Sequence, residues 1–498
     1  MLFNSIDFLI FFPIVVLVYF LMPQRFRYLW LLGASYYFYM SWNPRYALLI
    51  LTSTAVTWGS GLFLSSAVKG TGSGRKRKWC LAGCLAVNLG ILFLFKYYFF
   101  AASSIEKIFS FFHISLQMPA LDLLLPVGIS FYTFQALGYV LDVWRGEIPA
   151  EKNFLRYALF VSFFPQLVAG PIERSGDLMH QLYEPHAFDA ERVKDGLLLM
   201  GWGFFQKLVI ADRIAILVTD VYDHFSDYSG MQITLATILF AFQIYCDFGG
   251  YSDIAVGAAR VMGFTLTKNF KSPYYAVSVS EFWRNWHISL TTWFRDYIYI
   301  PLGGNRCGRL KKYRNILLTF AISGLWHGAR WSFVIWGVLN GLYQVAGDIT
   351  KPLRAGLLKR LHIRTNCGSY RLFQRGVTFL FVDFAWLFFR AEGFGIALRM
   401  LRHGIANPGV ISFFSPDTLL GINTMALSEK NFHVMLSGLM LLMCVDWLKK
   451  RKVDFKAILA RQNIWFRWLV YYGLIFTVLI FGIYGPAYDA STFIYFQF

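Results

Sequence analysis

Charge is scarce in this chain. Only 15% of its 498 residues are Asp, Glu, Lys or Arg, while 57% are hydrophobic and 19% aromatic. A soluble protein with so few charges could not cover its surface, which excludes an ordinary globular enzyme of two to four domains. Acidic residues are scarcest, 28 against 47 basic, for a formal net charge of +19. Runs of strict apolar–polar alternation are missing, which argues against a transmembrane barrel. An internal repeat of the kind that marks many secondary transporters is missing too. The first apolar run, Phe8 to Met22, lacks a basic segment before it and a small-residue cleavage site after it. It reads as a retained span and not a signal peptide. Cysteines are few and scattered, at 80, 84, 246, 307, 367 and 444. Cys80 and Cys84 sit one helical turn apart, but no zinc spacing or disulfide framework emerges, so no metal is expected.

What the chain does have is apolar runs near the 20 residues that a membrane helix needs. In lipid the backbone polar groups must be satisfied within the segment, so helices are the default. The runs predict an all-α polytopic membrane protein with about 11–13 transmembrane or re-entrant helices. Thirteen candidate stretches lie near 8–22, 28–42, 45–67, 79–100, 124–144, 154–169, 195–219, 231–247, 314–328, 331–347, 373–390, 432–448 and 468–484. Residues 171–192 and 268–313 mix charges, aromatics and prolines and are expected to be re-entrant or interfacial. The whole of 1–498 reads as one integral-membrane domain.

The positive charge is concentrated in short loops: Lys69 to Lys78, Arg306 to Arg314, Lys351 to Arg375 and Lys449 to Arg467. Such loops stay cytoplasmic under the positive-inside rule and favour anionic lipid headgroups, so membrane lipid and not nucleic acid is the expected partner. Counting spans outward from them places the N-terminus and the C-terminal tail, 485–498, outside the cytoplasm.

Two histidines stand out. The stretch Glu281-Phe-Trp-Arg-Asn-Trp-His-Ile-Ser-Leu-Thr-Thr-Trp-Phe-Arg-Asp-Tyr297 reads as one amphipathic helix, stopped by Pro301 and Gly303-Gly304. On it Trp283, His287, Leu290 and Phe294 would share a face. The second, His327, closes an apolar span in Gly324-Leu-Trp-His-Gly-Ala-Arg330, where Gly324 and Gly328 leave room for a ligand or another backbone. Two readings stay open for each histidine: a core side chain bridging helices, or a general base activating a hydroxyl. Further polar positions occur in Gln243-Ile-Tyr-Cys-Asp-Phe-Gly-Gly-Tyr-Ser-Asp253. Asp247 and Tyr251 lie one turn apart there, unless Gly249-Gly250 breaks the helix. An ionised Asp247 is expected to pair with an arginine or orient a histidine; an interhelical polar clamp is the other reading. Ser130, Tyr132 and Gln135 read mainly as packing, and Glu173-Arg174 as a charged pair at a tunnel mouth or a helix end.

Six of these stretches together, Pro126–Gln135, Val168–Arg174, Phe248–Asp253, Glu281–Leu290, Tyr299–Asn305 and Gly324–Ala329, resemble the membrane-bound O-acyltransferase family, in its bacterial alginate O-acetyltransferase-like branch. The resemblance implies a ring of helices around a tunnel, with His327 as the central base and His287 as the assisting histidine. Asp247, Tyr251, Asp253, Arg284, Asn285, Trp326 and Gln135 are the expected tunnel or substrate-binding residues. The implied donor is acetyl-CoA, with no bound cofactor. The implied location is a bacterial inner membrane, and the implied product is an O-acetylated cell-surface polysaccharide such as alginate, cellulose or peptidoglycan. A separate extracytoplasmic SGNH-type transferase is the implied partner. A related D-alanyl transfer system is held to use a C-terminal tyrosine motif as an acyl relay. The ending Ser491-Thr-Phe-Ile-Tyr-Phe-Gln-Phe498 therefore makes Tyr495 a candidate relay, against an interfacial aromatic anchor. Transfer of D-alanine or another acyl group, or transport without chemistry, are the alternative functions.

Overall fold

The computed structural model describes residues 1–66, 73–119, 121, 125–413 and 425–484; the tail with Tyr495 lies outside the described residues. Among them every regular element is helical. Each of the thirteen candidate stretches overlaps a helix. Among the described residues six helices are long and apolar enough to cross a membrane: Tyr46–Ser66, Gly74–Phe111, Gly230–Met262, Gly368–Arg390, Glu429–Lys450 and Ile464–Phe481. Others are shorter or more polar than a simple span, such as the apolar Ile6–Leu21. The protein is therefore all-α and multi-pass. The stretches 171–192 and 268–313 contain short helical pieces and the N-terminal ends of two longer helices, Ala190–Phe204 and Arg309–His327.

The chain divides into two compact units, Met1–Met200 with Ile254–Thr267, and Gly201–Asp253 with Lys268–Phe498. In the first, small and hydroxyl residues bring helices together, as expected where lipid supplies no hydrophobic contrast. A Cβ on Gly61 would lie 2.6 Å from the Tyr139 hydroxyl oxygen, so Tyr46–Ser66 packs tightly on Ile129–Arg145. Ser53 donates to Asn88 Oδ1 at 2.6 Å, and Tyr157 donates to Thr57 Oγ1 at 2.8 Å. Glu173 is buried and accepts from Thr267 N and Oγ1, at 2.7 and 3.1 Å.

The second unit is built on a hairpin of Arg309–His327 and Trp331–Ile349. Added Cβ atoms on Gly324 and Gly337 would each come within 2.1 Å of the facing helix's backbone, at the Phe333 and Phe320 carbonyls. Only glycine permits that approach. The hairpin's inner face carries Trp336 into a fully buried aromatic cluster with Trp286 and Trp386. One entry to this cluster is fixed by a serine N-cap with a glutamate reaching back past it. Ser278 Oγ accepts from Glu281 N at 3.1 Å, and Glu281 Oε2 accepts from Val277 N at 3.0 Å, starting the helix Val279–Asn285.

Candidate active site

The expected single helix through His287 is two. Val279–Asn285 ends, Trp286 is extended, and Ile288–Phe294 begins anew, followed by a π-helical turn over Arg295–Tyr299. The break is at His287 itself, whose backbone is left-handed at φ +44°. A non-glycine residue there carries strain and persists only when its surroundings impose it. The helical stripe of Trp283 with His287 is thus replaced by a corner. The corner drives the imidazole inward, where it is 1% exposed and packs edge-on to Phe248 at 4.6 Å between ring centroids.

His327 reaches the same place without strain. It is the last residue of Arg309–His327, and the Gly324 and Gly328 surfaces beside it are filled by Phe333 of the next helix. The room that the two glycines leave is thus occupied by protein. The His327 ring stands against Trp326, Trp336 and Phe389 at 5.0, 5.1 and 5.4 Å. The two imidazole centroids are 6.3 Å apart, with Trp326 also 6.0 Å from His287. Residues forty positions apart in sequence thus share one aromatic chamber, which shields nitrogen bases from bulk water.

Beside it lies a charged network. Lys207 Nζ is 2.6 Å from Asp247 Oδ1 and 2.7 Å from Asp212 Oδ1, all three side chains at most 5% exposed. Lys207 sits on a π-helical segment, Phe205–Ala211. The wider turn swings positions five apart, such as Lys207 and Asp212, toward one face. Asp247 borders Phe248, the ring against His287. The helix Gly230–Met262 runs unbroken through Gly249-Gly250. An added Cβ at Gly250 would lie 2.6 Å from the Gly203 carbonyl, so that glycine serves helix approach and not a break. Asp253 accepts from Gln206 Nε2 at 2.9 Å. Among the described residues no group of three His, Cys, Asp or Glu side chains is placed to hold a metal ion.

A family model described as the membrane-bound O-acyltransferase family matches residues 6–374. The chain belongs to this family. A probable alginate O-acetylase AlgI from Pseudomonas aeruginosa is 38% identical over 402 residues, covering 80% of this chain and 74% of that protein. A peptidoglycan O-acetyltransferase from Helicobacter pylori is 34% identical over 446 residues, 82% and 81% of the two chains. A teichoic acid D-alanyltransferase from Bacillus subtilis is 26% identical over 272 residues, 52% and 66%. The chain is a multi-pass membrane O-acyltransferase, an enzyme that takes an acyl donor and an acceptor.

Within this acyltransferase, the second unit brings together His287, His327, Trp326, Asp247, Tyr251 and Asp253. Tyr251 is buried one turn beyond Asp247. Asp247 pairs with Lys207 on another helical segment, an interhelical polar contact. Arg284 is exposed and its Nε donates to Ser280 O at 3.3 Å. Asn285 offers its backbone carbonyl to Lys271 N at 3.0 Å. Gln135 belongs to the first unit, where its side-chain amide donates to Phe160 O at 2.6 Å. Lys207 and Asp212 escaped the sequence reading. Their signal was present, as a lysine and an aspartate inside the apolar run 195–219, and an ionisable residue in such a run marks a site by default.

Proposed function

We propose that this enzyme takes acetyl groups from cytoplasmic acetyl-CoA and passes them through the membrane for O-acetylation of an exported cell-surface polysaccharide, with His327 as general base and His287 assisting. The observation that carries the reading is the pair of buried imidazoles 6.3 Å apart in one aromatic chamber. Neutral imidazole suits the task, because its ordinary pKa lies near working pH. In the transfer an acceptor hydroxyl oxygen attacks the thioester carbonyl. The C–O bond forms, the C–S bond breaks, and the hydroxyl proton passes to His327 and on to the departing thiolate. His287 orients the reacting group opposite. Acetyl, and not D-alanine, is favoured by relatives named for O-acetylation that match about four-fifths of this chain, while the D-alanyl relative matches about half.

The site is reached from both sides of a bacterial inner membrane. The basic loops face the cytoplasm and both termini face outward. Arg284, Asn285, Asp247, Tyr251, Asp253 and Trp326 line the route or position its walls. An extracytoplasmic SGNH-type transferase receives the acetyl group and delivers it to alginate, cellulose, peptidoglycan or a similar glycan. Tyr495 relays the group by becoming acylated on its phenol oxygen.

His327→Ala should abolish glycan acetyl esters in cells while the protein still inserts. Unchanged ester content would sink the reading and favour transport or scaffolding. For the relay, intact-mass analysis of the C-terminal peptide from active membranes should show an added acetyl group that Tyr495→Phe removes; wild-type esterification in that variant would refute it.

A further inference from the structure

We infer that Asn269 is a positioning residue, which caps the Ile288–Phe294 helix from outside and thereby holds the His287 imidazole in the chamber. The inference rests on the proposed role of His287. A residue at a helix N-cap ordinarily uses its own side chain to satisfy the first free backbone amides. His287 occupies that position and makes no side-chain cap bond. Asn269 supplies the missing partners. Its backbone carbonyl accepts from Ile288 N at 3.0 Å, and its Oδ1 accepts from Ser289 N at 3.3 Å. The same Oδ1 accepts from Ser289 Oγ at 2.7 Å. Its Nδ2 donates to Ser252 Oγ at 3.2 Å, on the helix that also carries Asp247 and Phe248.

Three consequences follow from this arrangement. The cap is made in trans, so the His287 ring is released from capping and turns inward. The left-handed φ of +44° is imposed, because the amides on its C-terminal side are already fixed. Finally, the helix bearing Phe248 and the turn bearing His287 are registered to each other through one amide side chain. Asn269 is 1% exposed, so no water replaces these bonds once they are lost. Asparagine is required by the pattern: one side chain must accept twice on one side and donate on the other.

The test uses the full chain in proteoliposomes, following thiol release from acetyl-CoA, with hydrogen–deuterium exchange on the same preparations. Asn269→Ala should lower kcat about 100-fold, the scale of an ångström-level misplacement, with KM for acetyl-CoA changed less than about twofold. Ser289→Ala, which keeps the backbone bond, should lose about threefold to tenfold. In a His287→Ala background, Asn269→Ala should add no more than about twofold, since a residue acting through His287 has nothing left to act on. Amides in the 287–294 peptide should exchange faster in Asn269→Ala, while peptides from Arg309–His327 stay protected. Fully additive losses, a loss confined to KM, or unchanged exchange over 287–294 would each overturn the inference. Wild-type turnover in His287→Ala alone would instead overturn the role assigned to that histidine, and the exchange data would still decide whether Asn269 caps the helix.

Discussion

His287 and His327 are the same residue type in the same chamber, held in opposite ways. His327 closes an ordinary helix, and its placement follows from two glycines that let Phe333 pack against the helix end. His287 sits on a strained corner between two seven-residue helices. The first arrangement is rigid because it is close-packed. The second is rigid because hydrogen bonds around it leave the backbone no relaxed alternative. A base that must accept and return a proton benefits from the first kind of support. A group that must point at a transient partner can be aimed by the second. The contrast supports the proposed roles, His327 as the principal base and His287 as the assistant.

The sharpest way to break that ranking is to remove each imidazole separately. His327→Ala should lower acetyl-CoA turnover by about 10³-fold or more, and His287→Ala by about 10²-fold, within the span that positioned acid–base groups contribute. Equal losses, or a larger loss at 287, would reverse the assignment. The next effect concerns the charged network next to Phe248, the ring against His287. Lys207→Met leaves Asp212 and Asp247 buried without their ammonium partner, a change of about 3–5 kcal/mol in similar buried pairs. A fall in apparent Tm of the detergent-solubilised enzyme should report it. Simultaneous replacement of all three by apolar residues should recover much of the Tm but not the turnover. A Tm that does not move with Lys207→Met would mean the charges are solvated and the network lies outside the packed core.

These residues also show where sequence reading succeeds and fails. The helical runs were legible because membrane helices are written as long apolar stretches, and each of the thirteen overlaps a helix. Both histidines were legible because polar side chains stand out in such a background. The corner at His287 was not, since 281–297 contains no proline or glycine and its apolar spacing fits one continuous helix. What breaks it is Asn269, eighteen residues away, whose bonds are tertiary and leave no local mark. Gly249-Gly250 failed in the other direction: a helix-breaking pair on propensity alone is kept helical because Gly250 lets the Gly203 carbonyl approach. The Lys207–Asp212 spacing of five residues looks wrong for an α-helix and becomes sensible only on a π-turn.

A third substitution probes the packed half of the comparison. Gly324→Ala would put a Cβ 2.1 Å from the Phe333 carbonyl. The hairpin must then open, with a loss of about 1–3 kcal/mol from overpacking. If close packing is what seats His327, turnover should fall along with Tm, and Gly347→Ala, whose added Cβ meets nothing within 4 Å on the same hairpin, should leave both unchanged. A drop in Tm with full turnover would show that His327 does not depend on that contact.

The smallest effect tests the hydrogen-bonded half at its far end. Glu281 starts the helix that leads into the His287 corner and pairs with Lys450 at 2.7 Å. Burial alone would raise its carboxyl pKa, but the Lys450 ammonium and the Val277 amide outweigh it and hold the group below its usual 4.5. A depressed carboxyl stabilises the fold fully above its unfolded pKa, and that contribution fades as pH falls through the lower folded value. Glu281→Gln should therefore be less stable than the wild type at pH 7 by about 1 kcal/mol, given a partly exposed pair. The two apparent Tm values should converge as pH is taken below 4.5. Turnover at pH 7 should fall less than in Asn269→Ala, because the helix start and the corner are separated by Trp286, which the surrounding aromatic rings fix independently. A Glu281→Gln loss as large as that of Asn269→Ala would mean that the corner is aimed by the helix before it and not by the cap behind it.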